Sequence, residues 1–156
     1  MNDEYFLRKA IELARAGMNS GQGGPFGCII VKDGKIVGQG SNRVTSTNDP
    51  TAHAEVVAIR DACKNLNAFQ LADCTLYTSC EPCPMCLGAI YWARPGRVVY
   101  GAMHTDAADA GFDDSFIYDE LIKPHAKRAV PMEQLLQTEA KTVFDEWIAK
   151  ENKIDY

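Results

Sequence analysis

Two short stretches hold residue types that can do chemistry together. One is His53-Ala54-Glu55 and the other is Pro82-Cys83-Pro84-Met85-Cys86. One imidazole and two thiolates suit a tetrahedral zinc and leave its fourth position open. An open position is a catalytic arrangement, because the metal then makes hydroxide available near neutral pH. Glu55, two residues from His53, is placed to take a proton from water and return it to a substrate. The residue types alone leave rivals. Cys80-Glu81-Pro82-Cys83 is a nested C-x-x-C, so the sulfur pair could be Cys80 and Cys83, or Cys80 could close a four-ligand structural site. A C-x-x-C by itself also fits redox chemistry, and a lone histidine is more often a surface or core residue than a ligand. Order and placement favour His53, Cys83 and Cys86, since Pro84 fixes both cysteines at a helix start.

Such a site needs two helix N-termini that converge. Asp49-Pro50 reads as an N-cap followed by proline at the first helical position. The helix it opens runs to about Leu66, with Ala52, Val56, Ile59, Cys63 and Leu66 on one face. Pro84 opens a second helix, Met85 to Ala93, which Pro95 ends. Between them, Cys74 to Ser79 reads as a short strand. A helix-strand-helix unit lays both helices on one sheet region, and first-turn side chains tilt toward the N-terminal ends. The partial positive charge at those ends favours thiolates.

The remaining elements frame that unit. Phe6, Leu7, Ala10, Ile11, Leu13, Ala14 and Met18 give one apolar face to a helix from Tyr5 to Met18. Phe26 to Val31 and Ile36 to Gly38 flank Lys32-Asp33-Gly34-Lys35, a strong type I′ hairpin signal. Val98 to Tyr100 reads as a strand, Thr105 to Ser115 as a Gly/Asp-rich loop, and Val143 to Lys150 as a terminal helix. The order predicts an α/β fold with a mixed sheet covered on both faces.

Composition narrows the function classes. The 156 residues suit one domain, 1–156, with near-average apolar and charged content. Sixteen basic residues against twenty-one acidic ones give a net charge of −5, and the tail from Val143 is itself more acidic than basic. No basic face for a nucleic-acid backbone is evident. No apolar run approaches the roughly 18 residues of a membrane span, and the acidic start is unlike a signal peptide. A cytoplasmic setting is therefore expected, in which six cysteines read as thiols or ligands rather than disulfides.

Taken together, H-A-E followed by P-C-x-x-C is the signature of zinc nucleobase deaminases, and the chain resembles the cytidine deaminase-like zinc superfamily. The likeness runs through Gly23-Gly24-Pro25-Phe26-Gly27, Asn48 to Glu55, Tyr77 to Pro95, and His104 to Tyr118. The last stretch, with Ala110-Gly111-Phe112-Asp113-Asp114-Ser115-Phe116, is similar to the bacterial guanine deaminases. That resemblance implies a three-layer α/β/α sandwich around a five-stranded mixed sheet, and hydrolysis of guanine to xanthine and ammonia in purine catabolism. It implies one zinc per subunit with a bound water, and a homodimer whose C-terminal segments, about 120–156, are exchanged. It maps metal ligation onto His53, Cys83 and Cys86, and the proton shuttle onto Glu55. Phe26, Asn42, Asp114 and Tyr156 become base-contacting residues, with Trp92 near the pocket and Asp114 able to assist the last proton transfer.

Those contacts make physical sense. A carboxylate accepts from the N–H groups of guanine with charge-assisted strength, although Asp113 beside Asp114 would serve without the resemblance. Asn42 can donate and accept at once. Phe26 offers a stacking ring, yet on its own reads as a core aromatic, as Trp92 does. The alternatives are a tRNA adenosine deaminase, a deaminase of another small nucleobase or nucleoside, and a zinc-stabilised module without catalysis. Glu55 argues against the last.

Overall fold

The computed structural model describes residues 2–156. They divide into two compact units, 1–114 and 115–156. The first unit begins with α1 (Asp3–Asn19), capped by the Asn2 side chain on the Tyr5 amide. The hairpin follows as β1 (Gly27–Lys32) and β2 (Lys35–Ser41), with Asp33 and Gly34 at φ 49° and 74°, the positive values that a type I′ turn requires.

A single turn, α2 (Val44–Thr47), leads to α3 (Ala54–Leu66). The order continues with β3 (Cys74–Cys80), α4 (Pro84–Ala93), β4 (Arg97–Ala102) and α5 (His104–Asp109). The sheet order is β2-β1-β3-β4, with β1 antiparallel to both neighbours and β3 parallel to β4. Phe6 of α1 packs with Ile29, Val31 and Tyr77 on one face. Cys28, Ile30 and Leu76 pack with Ala54, Ala58, Ala62 and Ile90 on the other. Alternation along each strand thus produces three layers, with α3 and α4 sharing one of them.

Several expectations change. The helix expected from Pro50 begins at Ala54 instead, because Asp49 closes a local turn: its Oδ1 accepts from the Thr51 amide at 2.8 Å and the Thr51 hydroxyl at 2.6 Å. Such Asx turns compete with helix at the chain's cheapest point of entry. The buried face of α3 is also wider than expected: Ile59, Cys63 and Leu66 pack against the core as anticipated, but Ala54, Glu55, Ala58 and Ala62 are its buried residues. Small side chains let α3 approach β2 closely, where a Cβ at Gly38 would lie 2.5 Å from that of Ala62. The loop Thr105 to Ser115 is half helical, as α5. Finally, the sheet has four strands among the described residues rather than five. After β4 the Asp106 carboxylate accepts the Met103 amide at 2.8 Å and caps α5, and no later described segment pairs with the sheet.

The second unit, Ser115–Tyr156, holds α6 (Ser115–Ile122), a 3-10 turn at His125–Lys127, and α7 (Gln137–Ala149). Arg128 donates to the Glu120 carbonyl at 3.1 Å, and the Ala129 amide to the Glu120 carboxylate at 2.7 Å. Residues 131–136 join no ladder. No helix among the described residues is long and apolar enough to cross a membrane.

Candidate active site

The first turns of α3 and α4 meet above the ends of the central strands. His53 and Cys83 are the N-cap residues, both with extended backbone. Their carbonyls already accept the first helical amides, from Val57 at 3.0 Å and Leu87 at 2.8 Å. Pro84 is preset for the first position of α4, which places Cys86 inward on the first turn, fully buried. The result is a cluster. His53 Nδ1 lies 3.6 Å from Cys83 Sγ and 3.5 Å from Cys86 Sγ. One ligand atom from each of the three residues falls within 4.8 Å of the others. A nitrogen and two sulfurs so arranged fit zinc by donor type and number. Cys80 is not among them; its sulfur faces the Met103 carbonyl at 3.8 Å.

Local charge suits ligation. The Cys83 thiol is lowered to about 4, held first by the Cys86 thiol and then by His53, against the cost of burial. The Cys86 thiol is pushed up by Cys83, by burial and by Glu55. A cation bound there would hold both sulfurs as thiolates. His53 is raised, chiefly by its contact with Cys83.

Glu55 is 6% exposed, on the second residue of α3. Its Oε2 accepts from Cys86 Sγ at 3.3 Å and its Oε1 from the Thr78 hydroxyl at 3.1 Å. Burial raises its pKa above the usual carboxylate range, the direction that suits a group exchanging protons near neutral pH.

The expected base-contacting residues divide between the units. Asn42 is 6% exposed and its orientation is fixed. Its Oδ1 accepts from the amides of Val44 at 3.1 Å and Gly24 at 3.3 Å. The NH2 group is thus what it offers a ligand, so the double role expected of it becomes that of a donor. Phe26 is half-buried, edge-on to Phe112 with ring centroids 5.0 Å apart. Asp114 is half-buried, and burial, more than any neighbouring charge, raises its pKa. Trp92, on α4, is 65% exposed. Tyr156 lies in the second unit.

A cleft of about 410 Å³ lies nearby, lined by Ile11, Phe26, Ser79, Gly101, Asp106 and Phe112 among others. It opens on the α1 side of the sheet. None of His53, Glu55, Cys83, Cys86 or Asp114 lines it, so the chemistry belongs to the cluster rather than to this cleft.

Residues 1–102 match the cytidine and deoxycytidylate deaminase zinc-binding region. The chain belongs to this deaminase family. It is 62% identical, over the full length of both chains, to a guanine deaminase of Bacillus subtilis. The X-ray structure of guanine deaminase from Bacillus subtilis superposes with a TM-score of 0.97, covering 100% of this chain and 99% of that one. A tRNA-specific adenosine deaminase of Aquifex aeolicus is 36% identical over 96% of each chain.

Two features of this deaminase site escaped the sequence analysis. Thr78 was passed over inside a strand, although a polar residue at an inward strand position is itself a signal. Glu81 and His104 form a second pair: Glu81 Oε2 accepts the His104 amide at 3.0 Å and lies 2.8 Å from its Nδ1. It ties α5 to the residue before Pro82, and no spacing rule announces it.

Proposed function

We propose that this protein hydrolyses guanine to xanthine and ammonia, with a zinc ion held by His53, Cys83 and Cys86. The observation that carries the chemistry is the convergence of those three donors beside the buried carboxylate of Glu55. The full-length similarity to a guanine deaminase supports the choice of substrate. Zinc in an open site supplies hydroxide near neutral pH. Glu55 takes the proton released from water and delivers it to the ring nitrogen beside C2. The water oxygen bonds to C2 in the same step. The C–N bond to the exocyclic amine then breaks as that oxygen's remaining proton is passed to the amine, so that C2 becomes a carbonyl and ammonia leaves. Asp114 accepts from the N–H groups of the base and can assist this transfer. Asn42 donates to a ring acceptor, Phe26 stacks, and Trp92 borders the pocket.

The reading extends to the assembly. Residues of about 120–156 are exchanged in a homodimer, bringing Tyr156 over the partner's site. Val143, Phe144, Trp147 and Ile148 of α7 are exposed in the single chain, as are Leu87, Tyr91 and Trp92 of α4. Apolar surface of that kind supports burial against a second copy. A small free substrate and a cytoplasmic role in purine catabolism accord with the net charge of −5. The tRNA-specific adenosine deaminase is more distant in sequence, at 36% identity, and a net charge of −5 does not favour an RNA backbone.

Ammonia release from the zinc-loaded protein decides the substrate. Guanine is expected to be turned over well ahead of guanosine, adenine, cytosine and cytidine, with a tRNA anticodon stem-loop unchanged. Preference for the stem-loop would overturn the reading.

A further inference from the structure

We propose that Thr78 is a positioning residue that holds one oxygen of Glu55 and so aims the other at the His53–Cys83–Cys86 cluster. The inference rests on Glu55 acting as the proton carrier. Thr78 lies on β3 and is 1% exposed, on the same strand face as Leu76 and Cys80, toward α3. Valine has nearly the same shape and would fill such a site without a polar atom. The hydroxyl therefore needs a reason, and its contacts supply one. Its oxygen is 3.1 Å from Glu55 Oε1 and 3.1 Å from the Cys80 carbonyl.

Glu55 reaches the cluster from the first turn of α3 on a side chain with three rotatable bonds. Two side-chain donors reach its carboxylate among the described residues, Thr78 at Oε1 and Cys86 at Oε2. A sulfur given to a metal as thiolate donates no hydrogen bond. In the metal-loaded site Thr78 is then the side-chain donor that remains. Because β3 is a central strand, paired on both sides, the hydroxyl is anchored to the most rigid part of the unit. The hydroxyl has one proton, so the Cys80 carbonyl is a competing acceptor, and it is the charged carboxylate that draws the donor to Glu55. The strand that leads into Pro82-Cys83 thus sets both a ligand sulfur and the direction of the proton carrier.

The test uses the zinc-loaded full chain with Thr78→Val and Thr78→Ser. Loss of a hydrogen bond to a charged group predicts a fall in kcat of about 10- to 100-fold for Thr78→Val, with KM within about threefold and one zinc per chain retained. Thr78→Ser restores most of the rate, because the hydroxyl rather than the methyl matters. In a Glu55→Gln background, Thr78→Val adds no further loss. Crystals of zinc-loaded Thr78→Val show the Glu55 carboxylate turned or spread over conformers, and crystals of Thr78→Ser show it in place. Wild-type kcat in Thr78→Val, or loss of zinc in both variants, would overturn the proposal. Retained activity in Glu55→Gln would instead overturn the role of Glu55, while an unmoved carboxylate in Thr78→Val crystals would independently remove the positioning role.

Discussion

Cys80, Cys83 and Cys86 lie within seven residues, and their surroundings give them different chemistry. Cys83 is lowered to about 4 by the Cys86 thiol and His53, whereas burial and nearby carboxylates push Cys80 up to about 11. Burial raises Cys86 as well, so geometry separates the two: Cys86 Sγ lies 3.5 Å from His53 Nδ1, whereas Cys80 Sγ faces the Met103 carbonyl at 3.8 Å. Cys86→Ala is therefore expected to lose zinc and Cys80→Ala to keep it, as metal analysis of the purified proteins will show; zinc loss on the Cys80 change would move the ligand pair. For Glu55→Gln the expectation is full zinc with turnover reduced by at least about 10²–10⁴-fold, since the amide matches the carboxylate in size but cannot take up and return a proton. A variant that kept most of its rate would remove Glu55 from the mechanism. Asp114→Asn should impair guanine turnover with zinc intact, because an amide sets donors against the donors of the base and such mismatches cost orders of magnitude. Asp113→Asn is the control: impairment there, with Asp114→Asn at full rate, would transfer the role to its neighbour.

The close approach of α3 to β2 holds His53 and Glu55 over the sheet. A Cβ at Gly40 would come within 2.7 Å of both the Ala54 carbonyl and the Ala58 amide, backbone atoms that can yield only if the helix shifts. Overpacking of this kind typically costs about 1–3 kcal/mol. Gly40→Ala should lower the melting temperature and weaken zinc binding together, measured by calorimetry and chelator competition. A drop in stability with unchanged zinc affinity would show that the first turn of α3 is held independently of its body. This contact was not legible in the sequence. The pattern Val37-Gly38-Gln39-Gly40 ended the expected strand at Gly38, because glycine is poor in strands; here glycine is what permits the helix to dock, and β2 continues to Ser41. The hairpin was legible because Asp33-Gly34 dictates its own turn. The start of α4 was legible because Pro84 presets it. The start of α3 was not, since Asp49 can cap a helix or close a turn, and distant pairing decides between them: the Arg43 amide bonds the Ala52 carbonyl at 2.9 Å. Of the site, His53, Glu55, Cys83 and Cys86 were favoured by residue type, order and placement at helix starts, while the nested Cys80–Cys83 pair had the same spacing and only the fold turns Cys80 away from the cluster. The locked amide of Asn42 was not legible, because it depends on amides at Gly24 and Val44 that only the folded loop brings together.

At the scale of the molecule, the two units differ in kind. The first carries both core clusters on either face of its sheet. The second has no buried residue in any of its helices, so its order has to be supported from elsewhere. A free C-terminus is ordinarily frayed and dispensable, and by that rule trimming Lys153-Ile154-Asp155-Tyr156 should do nothing. Exchange of the tail in a dimer predicts the opposite. With Tyr156 over the partner's site, water is excluded from the bound base and the electrostatics at the metal are strengthened. Each site then belongs to two chains, which ties activity to assembly. Deleting Ile154 to Tyr156 leaves α7 whole, since that helix ends at Ala149, and so separates the lid from the interface. The expected outcome is one zinc per chain, an intact dimer by light scattering, and a large loss of guanine turnover with a raised KM. Unchanged kinetics would remove Tyr156 from the site. A monomer with full zinc and no activity would place the effect in the interface rather than in the lid.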